Sequence, residues 1–208
     1  MKRKVVSGTL GLAVIIALTM SAQAAPKRIH LHGEYALTGT RVCVQTNGNN
    51  VDFTPPYYQL PVGGTGGTTR SAFYDGRLQL NRDGTGGLTV KALQINHQRT
   101  NAGDYPVLGF INICEATYQG LEDGTIELRL TNCDGLLTAG SPPGNTAGLD
   151  SPEILSVAVS ANGDTLLLSD TEADVETVWS TVNSGTVFNY SKRICGRSWT
   201  AIRLSPRP

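Results

Sequence analysis

The stretch YPVLGFINICEATY (residues 105–118), followed by Asp123-Gly124 and TIELRLTN (125–132), decides the fold class. In its second half Ile126, Leu128 and Leu130 alternate with Glu127, Arg129 and Thr131. A period of two puts the three apolar side chains on one face of a half-buried strand. Asp-Gly tolerates the positive φ of a tight hairpin turn, so the two runs pair antiparallel. Cys114 stands nine residues before Asp123, and Cys133 nine residues after Gly124. A two-residue turn at Asp123-Gly124 therefore sets the two cysteines opposite each other. Counting outward by twos makes this a hydrogen-bonded site, with a Cα separation of about 5.5 Å, inside bridging range.

The same grammar recurs on both sides. Segments 70–80 and 87–96 flank Asn81-Arg82-Asp83-Gly84, and segments 153–160 and 165–169 flank Ala161-Asn162-Gly163-Asp164. Leu155, Val157 and Val159 repeat the alternation. Segment 33–46 reads as an opening strand with a change of phase, Tyr35 and Leu37 against Val42 and Val44, which predicts a bulge near Gly39 or Thr40. Segments 174–181 and 186–204 supply the closing strands. Residues 47–69 and 134–152 read as long loops. The expected fold is all-β: an antiparallel up-and-down β-barrel of eight or nine strands, because closure removes the exposed edges. A two-sheet β-sandwich is the alternative. The expected interior face holds Leu37, Leu128, Leu130, Val157, Val159 and Leu168.

The first residues carry a different signal. Lys2, Arg3 and Lys4 precede an apolar run from Leu10 to Met20 and then Ala22-Gln23-Ala24. This is the pattern of an export signal cleaved after Ala24, and the apolar run is too short to span a bilayer. Residues 1–24 are thus read as a signal peptide and 25–208 as one disulfide-bonded domain, periplasmic or extracellular and not membrane-spanning once the signal is removed. The whole chain has 17 basic and 17 acidic side chains. Removing residues 1–24 takes away three of the basic ones, leaving a slightly acidic domain that lacks the basic face nucleic acid requires. Four cysteines without a C-x-x-C spacing point to two disulfides rather than zinc. With Cys114 joined to Cys133, Cys43 bonds Cys195 by elimination. That bridge needs the first and last strands to be neighbours, as barrel closure makes them.

Gly33-Glu34-Tyr35 opens the first strand, loop 47–69 follows it, and Arg193, Arg197 and Arg203 lie on the last segment. In this layout the chain resembles the calycin barrels, the group of lipocalins and avidins. The resemblance implies an up-and-down barrel of this kind, a lid in the first long loop, and an arginine of the last strand covering the opening aromatic. The cysteine in an early strand and the Arg-x-Cys-x-Arg near the end also resemble uncharacterised exported bacterial β proteins.

Phe53, Tyr57 and Tyr58 place aromatic surface in loop 47–69, where they would form a lid over a ligand mouth or a plug of the open end. Asp170, Glu172, Asp174 and Glu176 are spaced by two and read as a solvated acidic edge rather than a calcium site. His30 and His32 read as part of a solvated arm and His97 as a turn residue. The glycine run 63–67 lacks the ending of a phosphate loop, and a Gly-x-Ser-x-Gly elbow is absent from the sequence. No cofactor is called for. The leading reading is an exported, non-enzymatic barrel that binds a small apolar molecule or a partner at its open end. The alternatives are an envelope structural protein with a filled barrel, and a barrel enzyme acting on a small lipid or phenolic.

Overall fold

The computed structural model describes residues 31–46, 53, 67–97, 107–140, 145–170, 174–182 and 187–205. Ten strands run along them: β1 (Gly33–Gln45), β2 (Thr68–Leu80), β3 (Thr85–Asn96), β4 (Val107–Gly120), β5 (Ile126–Ala139), β6 (Thr146–Leu149), β7 (Glu153–Val159), β8 (Thr165–Ser169), β9 (Val175–Val182) and β10 (Val187–Arg203). All pairings are antiparallel, and β1 pairs with both β2 and β10. The sheet therefore closes into a ring with eight strands around it, a barrel rather than a sandwich. Residues 1–24, read from the sequence as an export signal, lie outside the described residues.

One part of the wall is split. The long strand β5 pairs with β7 through residues 126–130 and with β6 through 134–136. Opposite it, β10 pairs with β9 through residues 187–194 and with β8 through 198–202. The β7–β8 and β6–β9 pairs thus occupy the same arc of the ring at different heights. The segment expected to be one loop, 134–152, instead holds the end of β5 and all of β6.

Outside 134–152, the strands form where alternation predicted them. Leu37, Leu128, Leu130, Val157 and Leu168 are buried, and Val159 packs against the core at its margin. The expected bulge in β1 is absent: the register with β2 and β10 is unbroken. Tyr35, Leu37, Arg41, Cys43 and Gln45 are all buried, so a single phase runs the length of β1, with Val42 and Val44 outside. At Gly39 a Cβ would lie 2.3 Å from Cδ1 of Trp199, so glycine stands there to clear the indole and not to kink the strand. Leu31, expected in a solvated arm, is buried in the core.

The β4–β5 hairpin reaches its disulfide by a different path. Leu121 N donates to Thr125 O at 2.8 Å, so three residues, not two, make the loop, with Gly124 at φ 86°. Asp123 Oδ1 accepts from the backbone N and the hydroxyl of Thr125, at 2.9 and 2.6 Å, and fixes this turn. Asp83 and Thr85 repeat the arrangement in the β2–β3 turn. The longer loop shifts the register by one, so Glu115 faces Thr131. A bulge in β5, with Asn132 at φ 50°, restores it, and Ile113 faces Asp134. Cys114 and Cys133 meet across that bulge with Cα atoms 4.1 Å apart, closer than the regular site expected for them. Cys43 and Cys195 are direct partners in the β1–β10 register, also 4.1 Å apart at Cα.

The two bridges close loops of very different length, 152 and 19 residues of sequence separation. In the chain-entropy account they contribute at most about 5 and about 3 kcal/mol. Replacing Cys43 and Cys195 by alanine is therefore expected to lower unfolding free energy more than replacing Cys114 and Cys133. Urea unfolding of the two double variants measures the difference.

Candidate functional site

The barrel interior is divided along its length. Following hydrogen-bonded neighbours across β10, β1, β2, β3 and β4, one row reads Trp199, Gly39, Tyr74, Ala92, Phe110. Small residues alternate with aromatic ones, which lets the rings interlock: Tyr74 and Trp199 have centroids 5.2 Å apart, and Tyr74 and Phe110 6.2 Å. On one side of this row the interior is apolar, filled by Tyr35, Leu37, Leu78, Leu88, Val90, Leu128, Leu130, Leu155, Val157, Leu166 and Leu168. On the other side the neighbouring row is Arg197, Arg41, Ala72, Gln94, and beyond it come the Cys43–Cys195 bridge, then Arg193 with Gln45 and Thr68. Arg41, Gln45, Thr68, Gln94, Arg193 and Arg197 are all buried.

Three carboxylates meet these cations at the split in the wall. Glu153 begins β7, Asp170 follows β8, and Glu176 lies near the start of β9. Arg197 sits on β10 between the portion bound to β9 and the portion bound to β8. Its Nε pairs with Glu153 at 2.7 Å, an ion pair without hydrogen-bond alignment. Its Nη1 donates to Asp170 at 3.0 Å, and its Nη2 donates to Glu176. Arg193 Nε donates to the other Glu176 oxygen at 2.5 Å. Arg197 thus joins both short strand pairs to the long strand that flanks them. Removing one member of such a buried set leaves uncompensated charge and costs roughly 3–5 kcal/mol.

The electrostatics follow from these contacts. Burial opposes ionisation of Glu176, but Arg193 and Arg197 outweigh it and hold the carboxyl at about 2. Burial lifts Glu153 above the ordinary carboxylate range, against the pull of Arg197. Asp170 is also raised by burial. Burial would lower Arg197, yet its three carboxylates raise it. Arg41 stands apart. Its Nη2 donates to Gln94 Oε1 at 3.1 Å and its guanidinium lies 5.3 Å over the Tyr74 ring. Burial and then Arg193 lower it to about 10.

The acidic run read as a solvated edge is divided by the fold. Asp174 is exposed, Glu172 lies outside the described residues, and Asp170 and Glu176 turn inward to Arg197. Of the three aromatics read as a lid or plug, Phe53 is buried, and Tyr57 and Tyr58 lie outside the described residues. His32 is half-buried and His97 is exposed beside Ser71, 2.7 Å away; His30 lies outside the described residues. Among the described residues no group of three His, Cys, Asp or Glu side chains is placed to hold a metal. Of the three arginines singled out on the last strand, Arg203 covers Tyr35, its guanidinium 4.8 Å over the ring and its Nη2 donating to Tyr35 Oη at 2.6 Å. Arg193 and Arg197 serve the carboxylates instead. Arg41, Glu153 and Gln94 were not singled out. Their signal was phase: Arg41 shares the parity of Leu37 and Cys43, and Gln94 that of Leu88 and Val90.

No family model matches the chain, and no curated protein matches it. Two solved structures show weak similarity. One is the secretin InvG of the Salmonella SPI-1 type III secretion injectisome in its open-gate state, at 10% identity and TM-score 0.18 over 84% of this chain. The chain spans 60% of that secretin chain. The other is the enduracididine biosynthesis enzyme MppR, at 11% identity and TM-score 0.13, covering 93% of this chain and 96% of that one. Neither likeness carries weight for fold or function.

Glu176 makes stability depend on acid. Its folded value of about 2 lies below the ordinary 4.5, so its contribution is complete above about 4.5 and is lost as pH falls towards 2. Glu153, raised in the fold, works in the opposite sense, its contribution falling as pH rises from 4.5. Glu176→Gln is expected to lose on the order of 3 kcal/mol at neutral pH. It should also flatten the decline between pH 4.5 and 2. Urea unfolding across that range reads both effects.

Proposed function

We propose that this chain is an exported, disulfide-tied β-barrel that binds a small molecule at the end whose interior is polar, without catalysing its conversion. The observation that carries this is the division of the interior. The apolar end is packed by large side chains and needs nothing further to be stable. The polar end buries cations and amides beyond an aromatic row, and buried polar groups are costly unless they meet partners. A ligand for such a site combines an apolar body, to lie against the rings, with a polar group to meet the charges. This amends the expectation of a purely apolar ligand.

Export is supported by the basic head, apolar run and Ala22-Gln23-Ala24, and by the two disulfides, which suit an oxidising compartment. A calycin-like character is supported by the opening Gly33-Glu34-Tyr35 with Arg203 over Tyr35. A filled structural barrel is the second reading. It is favoured by the Arg197 set, which is bound within the protein and braces the split wall.

Native mass spectrometry of the oxidised protein from its own host separates the two. Ligand binding predicts a chain beginning at Ala25 with a small molecule retained under gentle desolvation. A bare polypeptide mass favours the filled barrel.

A further inference from the structure

We propose that Arg41, Tyr74 and Trp199 form a subsite for a carboxylate carried on an apolar body, an inference that rests on the binding reading above and specifies its ligand. The three are inward-facing neighbours on β1, β2 and β10, each 4–5% exposed. Tyr74 Oη and Trp199 Nε1 are buried and have no hydrogen-bond partner among the described residues. Buried N–H and O–H groups are as a rule met by an acceptor, and a bound oxygen atom would serve both. Their rings lie against each other, centroids 5.2 Å apart, and the Arg41 guanidinium stands 5.3 Å over the Tyr74 ring.

Arg41 is the third donor and the source of charge. Among the described residues it has no carboxylate within ion-pairing distance, whereas Arg193 and Arg197 each have one or more. The like charges of Arg193 and Arg197 depress it more than Glu153 supports it. Among the described residues its only hydrogen bond to a side chain, to Gln94, leaves most of the guanidinium fork unused. A fork with an adjacent O–H and N–H matches the two oxygens of a carboxylate, and charge-assisted bonds of this kind are strong when buried. The rings of Tyr74, Trp199 and Phe110 supply an apolar wall for the rest of the ligand. The carboxylates of the Arg197 set do not compete for Arg41, because each already has its cation.

Calorimetric titration of the purified, oxidised protein with benzoate and laurate, beside benzyl alcohol and dodecanol, tests the assignment. The acids are expected to bind and the alcohols to bind at least tenfold more weakly. The Trp199 indole ¹⁵N–H resonance should move downfield with benzoate while that of Trp179 stays. Arg41→Gln should weaken acid binding at least tenfold, with Arg41→Lys intermediate. Tyr74→Phe, which removes one hydroxyl, should weaken it severalfold and carries the test if the Arg41 variants fail to fold. Alcohols binding as tightly as acids, with Arg41→Gln unchanged, would overturn the carboxylate assignment and leave the binding reading standing. Acids that neither bind nor move the indole signal would overturn it too, while a molecule retained in native mass spectrometry would still support binding.

Discussion

Strand β1 hydrogen-bonds to β10 through eleven consecutive residue pairs, from Tyr35 with Arg203 to Gln45 with Arg193. This contact turns a sheet with two edges into a ring, and most other features depend on it. It sets Cys43 against Cys195, places Arg203 over Tyr35, and brings Arg41, Arg193 and Arg197 into one interior. Without it Arg41 and the carboxylates of β7 and β9 would lie on opposite margins of an open sheet. Closure is also demanding, since it joins residues as far apart in sequence as Cys43 and Cys195, separated by 152, and so incurs a large loop-closure entropy. The disulfide within the same pairing limits that cost by restricting the unfolded chain.

Polar groups buried in a barrel interior are costly unless they meet partners, within the protein or from a bound molecule. The apolar half avoids this cost by packing. The charged half meets it through Arg197, whose planar fork reaches three carboxylates from three different strand ends, a task the point charge of lysine performs poorly. The split between β7–β8 and β6–β9 is a weak place in the wall, where the ladder of backbone hydrogen bonds is interrupted. Ion pairs stand there in place of that ladder.

Most of the fold was legible because its strands alternate cleanly and its turns carry Asp-Gly or Asn-Gly. Ile126, Leu128 and Leu130 declared both their strand and its buried face. What misled was treating charge as a mark of the outside. Val42 and Val44 looked like a change of phase only because Arg41 and Gln45 were assumed to face solvent. The same assumption sent Asp170 and Glu176 to a solvated edge. In the upper half of β1 the usual rule is inverted, polar side chains inward and valines outward, which a search for apolar faces reads backwards. The correct phase was carried by Cys43, Cys195 and Trp199. The Cys114–Cys133 bridge was anticipated through a two-residue turn, whereas a three-residue turn and a compensating bulge at Asn132 produce it; two register changes of one residue cancel, and spacing alone does not reveal them.

Amide hydrogen–deuterium exchange along β1 and β10 tests the closure most directly. In a ring, the amides of residues 35–45 that point towards β10 and those that point towards β2 are both bonded, so protection is continuous along the strand. The amides of 193–203 that point towards β1 are protected with them. The account predicts this pattern in the oxidised protein, with exchange at these sites as slow as in β3. Alternate amides of β1 exchanging at the rate of free chain, while their neighbours bonded to β2 stay protected, would mark β1 as an open edge and contradict the barrel.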